Sequence, residues 1–270
     1  MRDKYKKNPK TSAVKIATST SIAIGKSVSA ETIRRVLRKA NYHGRVARKK
    51  PFISKVNRDK RIAFAKKYIS ESADFWKNVI FSDESKFNIF GSDGQCYVWR
   101  KPNSELLPQN MIPTVKHGGG SVLVWGCMSA NGVGNLVFID GIMDRMKYLN
   151  ILKNNLKQSA QKLNLGSSFI FQQDNDPKHT ANIVKLWLLY SCKMQLHTPP
   201  QSPDLNVIEN LWSELEKSIR KHNIRNTDEL KIVLQEEWGK ITSHVTQTLV
   251  DIMPQRLEAV LKAKGYATKY

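Results

Sequence analysis

Between residues 11 and 42 apolar side chains recur at helical spacing in two short runs. Val14, Ile16 and Ala17 mark the first, which predicts a helix from about Ser12 to Thr20 before Gly25 interrupts the pattern. The run Thr18-Ser19-Thr20-Ser21 is poor in helix propensity, so this helix is expected to be short or frayed. Ser29 has the character of an N-cap, and Thr32, Ile33, Val36, Leu37 and Ala40 repeat behind it. The opposite face carries Arg34, Arg35, Arg38 and Lys39. A turn followed by a basic-faced helix is the pattern of a helix-turn-helix reader of DNA, and equally of a helical hairpin with a solvated face. On the reader model, Ser29, Thr32, Arg35 and Lys39 are best placed to meet bases or phosphates.

Residues 43–51 form a basic linker punctuated by Gly44 and Pro51. Its Arg45, Arg48, Lys49 and Lys50 suit phosphates or a minor groove, and equally a solvated linker or an import signal. Residues 55–76 then predict one amphipathic helix through Val56, Ile62, Ala63, Phe64, Tyr68 and Ile69. From residue 77 the periodicity changes. Strands are predicted at Val79–Asp83, then at Lys86–Phe90 and Cys96–Trp99 around a turn at Ser92-Asp93-Gly94. Ser121–Met128 and Leu136–Ile139 follow, then a helix over 145–163. A further strand, Phe169–Asp174, precedes a helix over Pro177–Tyr190, an extended piece at Gln195–Thr198 and a helix beginning near Asn206. Hairpins followed by alternating strands and helices imply an α/β fold, a mixed sheet covered by helices. The stretch 101–120 carries three prolines and Gly118-Gly119-Gly120 and predicts a long functional or disordered loop.

Charge sharpens this division. The 270 residues carry a formal net charge of +21. Residues 1–70 hold 21 Lys/Arg against 3 Asp/Glu, so the excess sits in the first quarter. A polyanion partner is implied, and nucleic acid fits better than membrane because that quarter has no bulky apolar face to insert. No apolar run approaches the roughly 18 residues that span a bilayer, and the first residues lack a secretory core. A nuclear or cytosolic protein is expected. Cys96, Cys127 and Cys192 are too scattered for a disulfide framework or a zinc site and are expected as small buried hydrophobes.

Chemistry is expected where acids stand at the ends of apolar strands. Asp83 and Asp174 end two of them, and Glu209 lies in the first turn of a helix whose core face is Ile208, Leu211, Trp212, Leu215 and Ile219. A carboxylate in such a place is costly unless it is paired or binds a cation. Three brought together suit two Mg²⁺ or Mn²⁺ ions acting on phosphorus. The glycine triplet lacks the Lys-Ser/Thr of a phosphate loop, and no Gly-x-Ser-x-Gly elbow is present. Each acid also has a structural alternative. Asp83 is open to a local backbone bond. Asp174 and Asp176 are open to capping a helix that has Pro177 in its first turn. Glu209 is open to a capping box with Asn206.

Three blocks carry a resemblance that bears on these alternatives: Phe81-Ser82-Asp83-Glu84-Ser85-Lys86-Phe87, Asp174-Asn175-Asp176-Pro177-Lys178-His179-Thr180, and 201–212 from Gln201 to Trp212, with Glu209 near its end. They resemble the catalytic motifs of Tc/mariner superfamily transposases of the Tc-like branch, including the 34 residues between Asp174 and Glu209. The stretch Pro113–Gly126 and the ending Gly265–Tyr270 resemble the family too. The resemblance implies an RNase H-like domain over 77–270, preceded by a helix-turn-helix module and linker over 1–50 and a connecting helix over 51–76. It implies a metal-dependent transposase that cuts double-stranded DNA at transposon ends and joins the freed 3′-hydroxyl to target DNA. Asp83 would be shared between two Mg²⁺ ions, with Mn²⁺ a substitute, and Asp174 and Glu209 would each complete one. A homodimer is implied, with the loop near 101–120 as a clamp on the partner subunit. Asp176, Lys178 and His179 adjoin the site as candidate phosphate contacts.

Two departures from that family matter. Its full-length members carry two helix-turn-helix modules, and only the second is read here, at 11–42; the first is expected to be missing, which puts specific recognition of transposon ends in question. Val207 stands where relatives commonly have Pro, which is expected to hold Glu209 less firmly. An inactive DNA-binding remnant, or a nuclease acting on RNA–DNA hybrids, are the competing readings.

Overall fold

In the computed structural model, which describes residues 10–44, 52–89, 101, 102, 104, 105, 107, 110 and 120–270, the chain divides into two units, Met1–Lys50 and Pro51–Tyr270. Arg45, Arg48, Lys49, Lys50 and Cys96, the expected strand Cys96–Trp99 with its turn, and most of the loop 101–120 lie outside the described residues.

The amino-terminal unit contains α1 (Ala13–Ile24) and α2 (Ala30–Lys39). Ser12 caps α1 and Ser29 caps α2, each accepting from the amide three residues on. α1 runs four residues beyond its expected end. Its hydroxyl-rich stretch is accommodated because Thr18 and Ser19 donate to the carbonyls of Val14 and Ile16. Ser21 Oγ accepts from the Val28 amide at 2.8 Å and so clasps the turn. Gly25, at φ 66°, ends the helix in the left-handed region. Ile16, Ala17 and Ile33 form a small core between the two helices.

The second unit opens with α3 (Lys55–Tyr68) and α4 (Ala73–Lys77). One helix over 55–76 is expected, but the chain breaks after Ile69 because Ser72 starts a new helix by accepting from the Phe75 amide at 3.1 Å. The corner is filled by Tyr68, Phe75 and Trp76.

Among the described residues five strands follow: β1 (Val79–Asn88), β2 (Ser121–Ser129), β3 (Gly132–Ile139), β4 (Ile170–Gln173) and β5 (Met194–His197). Their order is β3-β2-β1-β4-β5. β1 pairs antiparallel with β2 and parallel with β4, so the sheet is mixed as expected. β1 is continuous where two strands were expected, since the ladder to β2 runs unbroken from Phe81 to Asn88. β3 begins four residues early, at Gly132, whose φ of 137° only glycine adopts readily.

α5 (Arg145–Lys162) and α6 (Asn182–Ser191) cover one face of the sheet over Ile80, Trp125, Cys127 and Phe171. α7 (Ile208–Ile219), α8 (Thr227–Gly239), α9 (Ser243–Asp251) and α10 (Met253–Lys262) join α3 and α4 on the other, over Val79, Phe81, Phe87 and Val124. Alternation along β1 therefore sends odd positions toward α7 and even positions toward α5 and α6.

Gly126, the β2 partner of Asp83, lies against Trp212 of α7. A Cβ there would sit 2.6 Å from Trp212 Cη2. Gly126→Ala is expected to destabilise by about 1–3 kcal/mol through overpacking. Urea unfolding checks this, and an unchanged midpoint would show that Trp212 yields without loss.

Candidate active site

Asp83, Asp174 and Glu209 line one cavity of about 340 Å³ together with Gln172, Thr198 and Asn206. β1 supplies Asp83 at an odd position, on the side of α7. Asp174 follows the last residue of β4. Glu209 is the second residue of α7. Among the described residues, no three His, Cys, Asp or Glu side chains converge closely enough to enclose an ion, so the acids ring a cavity without closing on its centre.

The structural alternatives fare differently. α6 starts at Asn182, five residues later than expected, and no side chain caps it. Asp176 instead closes a tight turn by accepting from the Lys178 amide at 3.0 Å. Asp174 Oδ1 accepts from the Asp176 amide at 3.0 Å and contacts His179 Nδ1. Asn206 does not form a capping box with Glu209: its Nδ2 donates to the Ser82 carbonyl at 3.4 Å, and α7 has no side-chain cap. Val207 sits at φ −67°, the value proline would impose, after an extended Asn206. The backbone at this position therefore already has the conformation that proline would impose. Val207→Pro is expected to leave stability within about 1 kcal/mol, a smaller unfolded-state entropy offsetting lost packing of the buried side chain. Equilibrium unfolding in urea checks it, and a loss above about 2 kcal/mol would mean that packing dominates.

Electrostatics set Asp83 and Glu209 apart from Asp174. Burial, then the charges of Glu209 and Glu84, push the Asp83 carboxyl well above its ordinary value. Burial also raises Glu209; its hydrogen bond with Asp83 opposes the rise and the Asp174 charge adds to it. Asp174 is half exposed. Burial works against its ionisation, but His179 and the Asp176 amide outweigh that and hold it below the usual range. Two of the acids therefore resist full charge until a cation arrives. The donor set is oxygen-rich, and two buried oxygens of the same cavity, Asn206 Oδ1 and Gln172 Oε1, lack hydrogen-bond partners. Such a set fits Mg²⁺ or Mn²⁺.

The sequence reading missed Glu84 and the position of His179. Glu84, an even position on β1, faces away from Asp83 and lies 3.2 Å from His179 Nε2. His179 is buried, stacks on Tyr148 with centroids 4.0 Å apart, and bridges Glu84 to Asp174. Burial lowers the imidazole pKa, but the bond to Asp174 and the nearby carboxylate of Glu84 override it and raise it to about 9. Lys178 joins Glu84 at 3.7 Å and Asp176 at 2.8 Å. The signal for this bridge was the parity of Glu84 on its strand. Lys178 and His179 are thus committed to carboxylates.

In the amino-terminal unit the Ser29 and Thr32 hydroxyls bond each other at 2.9 Å at the start of α2. Arg34 and Arg38 pair with Glu31 at 3.0 and 3.1 Å on the surface. Among the described residues Arg35 and Lys39 are in no ion pair.

A family model described as DDE superfamily endonuclease matches residues 78–231, and a helix-turn-helix model described as transposase matches residues 1–70. The second match, which runs over residues 1–70 and contains α1 and α2, corrects the expectation that the first, amino-terminal helix-turn-helix is lacking. The chain is 48% identical over 242 residues to the transposable element Tc1 transposase of Caenorhabditis elegans, covering 90% of this chain and 88% of the relative. It is 31% identical over 251 residues to the Tc3 transposase of the same nematode, covering 90% of this chain and 73% of the relative. The fold matches the Mos1 mariner paired-end complex with Mn at a TM-score of 0.83 and 17% identity, over 99% of this chain and 78% of that one. With both units matched and almost half of the aligned residues shared with a nematode transposase, the chain belongs to the Tc1/mariner family of transposases with a DDE superfamily endonuclease domain.

Proposed function

We propose that the chain is a cut-and-paste DNA transposase in which Asp83, Asp174 and Glu209 hold two Mg²⁺ ions, with Mn²⁺ able to replace them. The observation that carries this reading is that the three acids line one cavity, two of them with carboxyls pushed up first by burial and then by a neighbouring acid's charge. Asp83 would be the ligand shared by both ions, and Asp174 and Glu209 would each complete one. When bound, the ions activate a water or 3′-hydroxyl and stabilise the leaving oxygen at phosphorus.

The protein residues prepare that site. His179 fixes the Asp174 side chain, and Glu84 holds His179 from the other side of β1. Hydrolysis at transposon ends and strand transfer into target DNA are both in-line displacements at phosphorus, so one site serves both. The helix-turn-helix unit and the basic linker bind the duplex. Arg35 and Lys39 make direct contacts to DNA, Arg34 and Arg38 exchange Glu31 for phosphates, Ser29 and Thr32 lie at the helix start facing the backbone, and Arg45, Arg48, Lys49 and Lys50 neutralise phosphates. The protein acts as a homodimer in the nucleus, where its substrate is.

Nicking of supercoiled DNA with Mg²⁺ or Mn²⁺ tests the reading against Asp174→Ala. Metal-dependent nicking by the parent and none by the variant is expected. Salt-sensitive binding by both with nicking by neither would favour an inactive remnant.

A further inference from the structure

We propose that the groove between α3 and the segment after β5 is a track for an unpaired DNA strand whose scissile phosphate lies in the acid cavity; this rests on the transposase reading above. The groove has a volume of about 370 Å³. Its walls are apolar, with Ala63, Phe64 and Tyr68 from α3 facing Pro199 and Pro200. Lys60 and Lys67 line it as well, two helical turns apart.

Both lysines are exposed, and among the described residues neither pairs with a carboxylate. Lys67 Nζ lies over the Tyr68 ring, 4.9 Å from its centroid. Cations unpaired with carboxylates beside an apolar floor match a strand whose phosphates are outside and whose sugars and bases are unstacked. A duplex keeps its base faces stacked and offers this floor nothing.

The groove is joined to the reaction site by its wall. Thr198, Pro199 and Pro200 line both the groove and the acid cavity. That wall is fixed to the catalytic segment: Asn175 Nδ2 donates to the Thr198 carbonyl at 2.7 Å, and Thr198 Oγ1 donates to the Gln173 carbonyl at 3.2 Å. A strand leaving the cavity past this wall enters the groove directly.

The test compares two fluorescent probes in EDTA, a blunt duplex and the same duplex carrying a single-stranded extension, across a salt titration. The parent protein is expected to prefer the extended probe. In Lys60→Gln/Lys67→Gln the slope of log K against log salt for the extended probe is expected to fall by about 1.4, two contacts at roughly 0.7 each for single strands. The blunt-duplex slope stays unchanged. Ala63→Trp fills the floor while keeping both lysines, and is expected to erase the preference for the extension; thermal melting confirms that each variant folds.

No preference in the parent, or equal losses on both probes, overturns the proposal. Nicking of supercoiled DNA separates it from the reading on which it rests. Nicking by a parent protein that shows no preference removes the groove alone. A preference intact in a protein that never nicks supports the groove and removes the catalytic reading.

Discussion

Asp83→Asn is expected to abolish metal-dependent cleavage and, in the same protein, to raise the melting temperature of the metal-free form. The first effect follows from the proposed role of Asp83 as the ligand shared between both ions. Metal stabilisation of charge at phosphorus amounts to several kcal/mol, and about 4 kcal/mol is roughly a 10³-fold rate loss. The second follows from the direction of the Asp83 shift. Its carboxyl is raised by burial first, then by Glu209 and Glu84. A group whose folded pKa exceeds its unfolded value adds stability that is fully present below the unfolded value, near 4. That stability is lost as pH climbs through the raised folded value. At neutral pH the parent has therefore lost part of it, and the neutral amide avoids the loss. A gain on the order of 1 kcal/mol, about 2–4 °C for a chain of this size, is expected at pH 7. Added Mn²⁺ should reverse the ranking, stabilising the parent and leaving the variant unmoved. Scanning calorimetry at pH 5 and 7, with and without metal, checks both parts. A variant less stable than the parent at pH 7 without metal would show that Asp83 is satisfied by local bonds and is not held ready for a cation.

The positions of the three acids were legible because each ended or opened an element with strong periodicity. The strand Val79–Asp83 and the helix face Ile208, Leu211, Trp212, Leu215 and Ile219 fix their own sides of the core, and the acids ride on them. Local capping was less legible. Asn206 had the residue type of an N-cap, but a tertiary bond to Ser82 in β1 takes its side chain. Pro177 suggested a helix start, but Asp176 turns the chain there and delays α6 to Asn182. The break between α3 and α4 did carry a local signal, the N-cap Ser72, but the apolar periodicity over 55–76 masked it, and the corner is then packed by Tyr68, Phe75 and Trp76. The His179 bridge required knowing that Glu84 faces α5 and α6, which follows only once β1 is seen as one continuous strand.

Arg61→Ala and Asp204→Ala are each expected to destabilise the second unit by about 3–5 kcal/mol, because each leaves a buried partner charge uncompensated. Arg61 and Asp204 are both buried and bonded through two nitrogen–oxygen pairs at 2.8 and 2.6 Å. The guanidinium also donates to the Gly265 carbonyl at 2.9 Å and to Ser202 Oγ at 2.7 Å, and Thr268 Oγ1 donates to Asp204 at 2.8 Å. One ion pair thus ties α3, the 201–206 segment and the carboxy-terminal residues together, immediately before Glu209. An apolar pair, Arg61→Met with Asp204→Leu, removes both charges but leaves the Gly265 carbonyl and the Ser202 and Thr268 hydroxyls without these partners. It is therefore expected to recover only part of the loss and little cleavage. The pH dependence gives an independent check. Burial works against the Asp204 charge, but the Arg61 bonds and the Thr268 donors outweigh it and hold the pKa below its ordinary value. The stabilisation is present above about pH 4 and is lost as pH falls through the lowered folded value. Asp204→Asn should flatten that acid limb while costing stability at pH 7. Urea unfolding between pH 2.5 and 7 reads both, and a loss below about 1 kcal/mol in either alanine variant would mean that water replaces the missing partner.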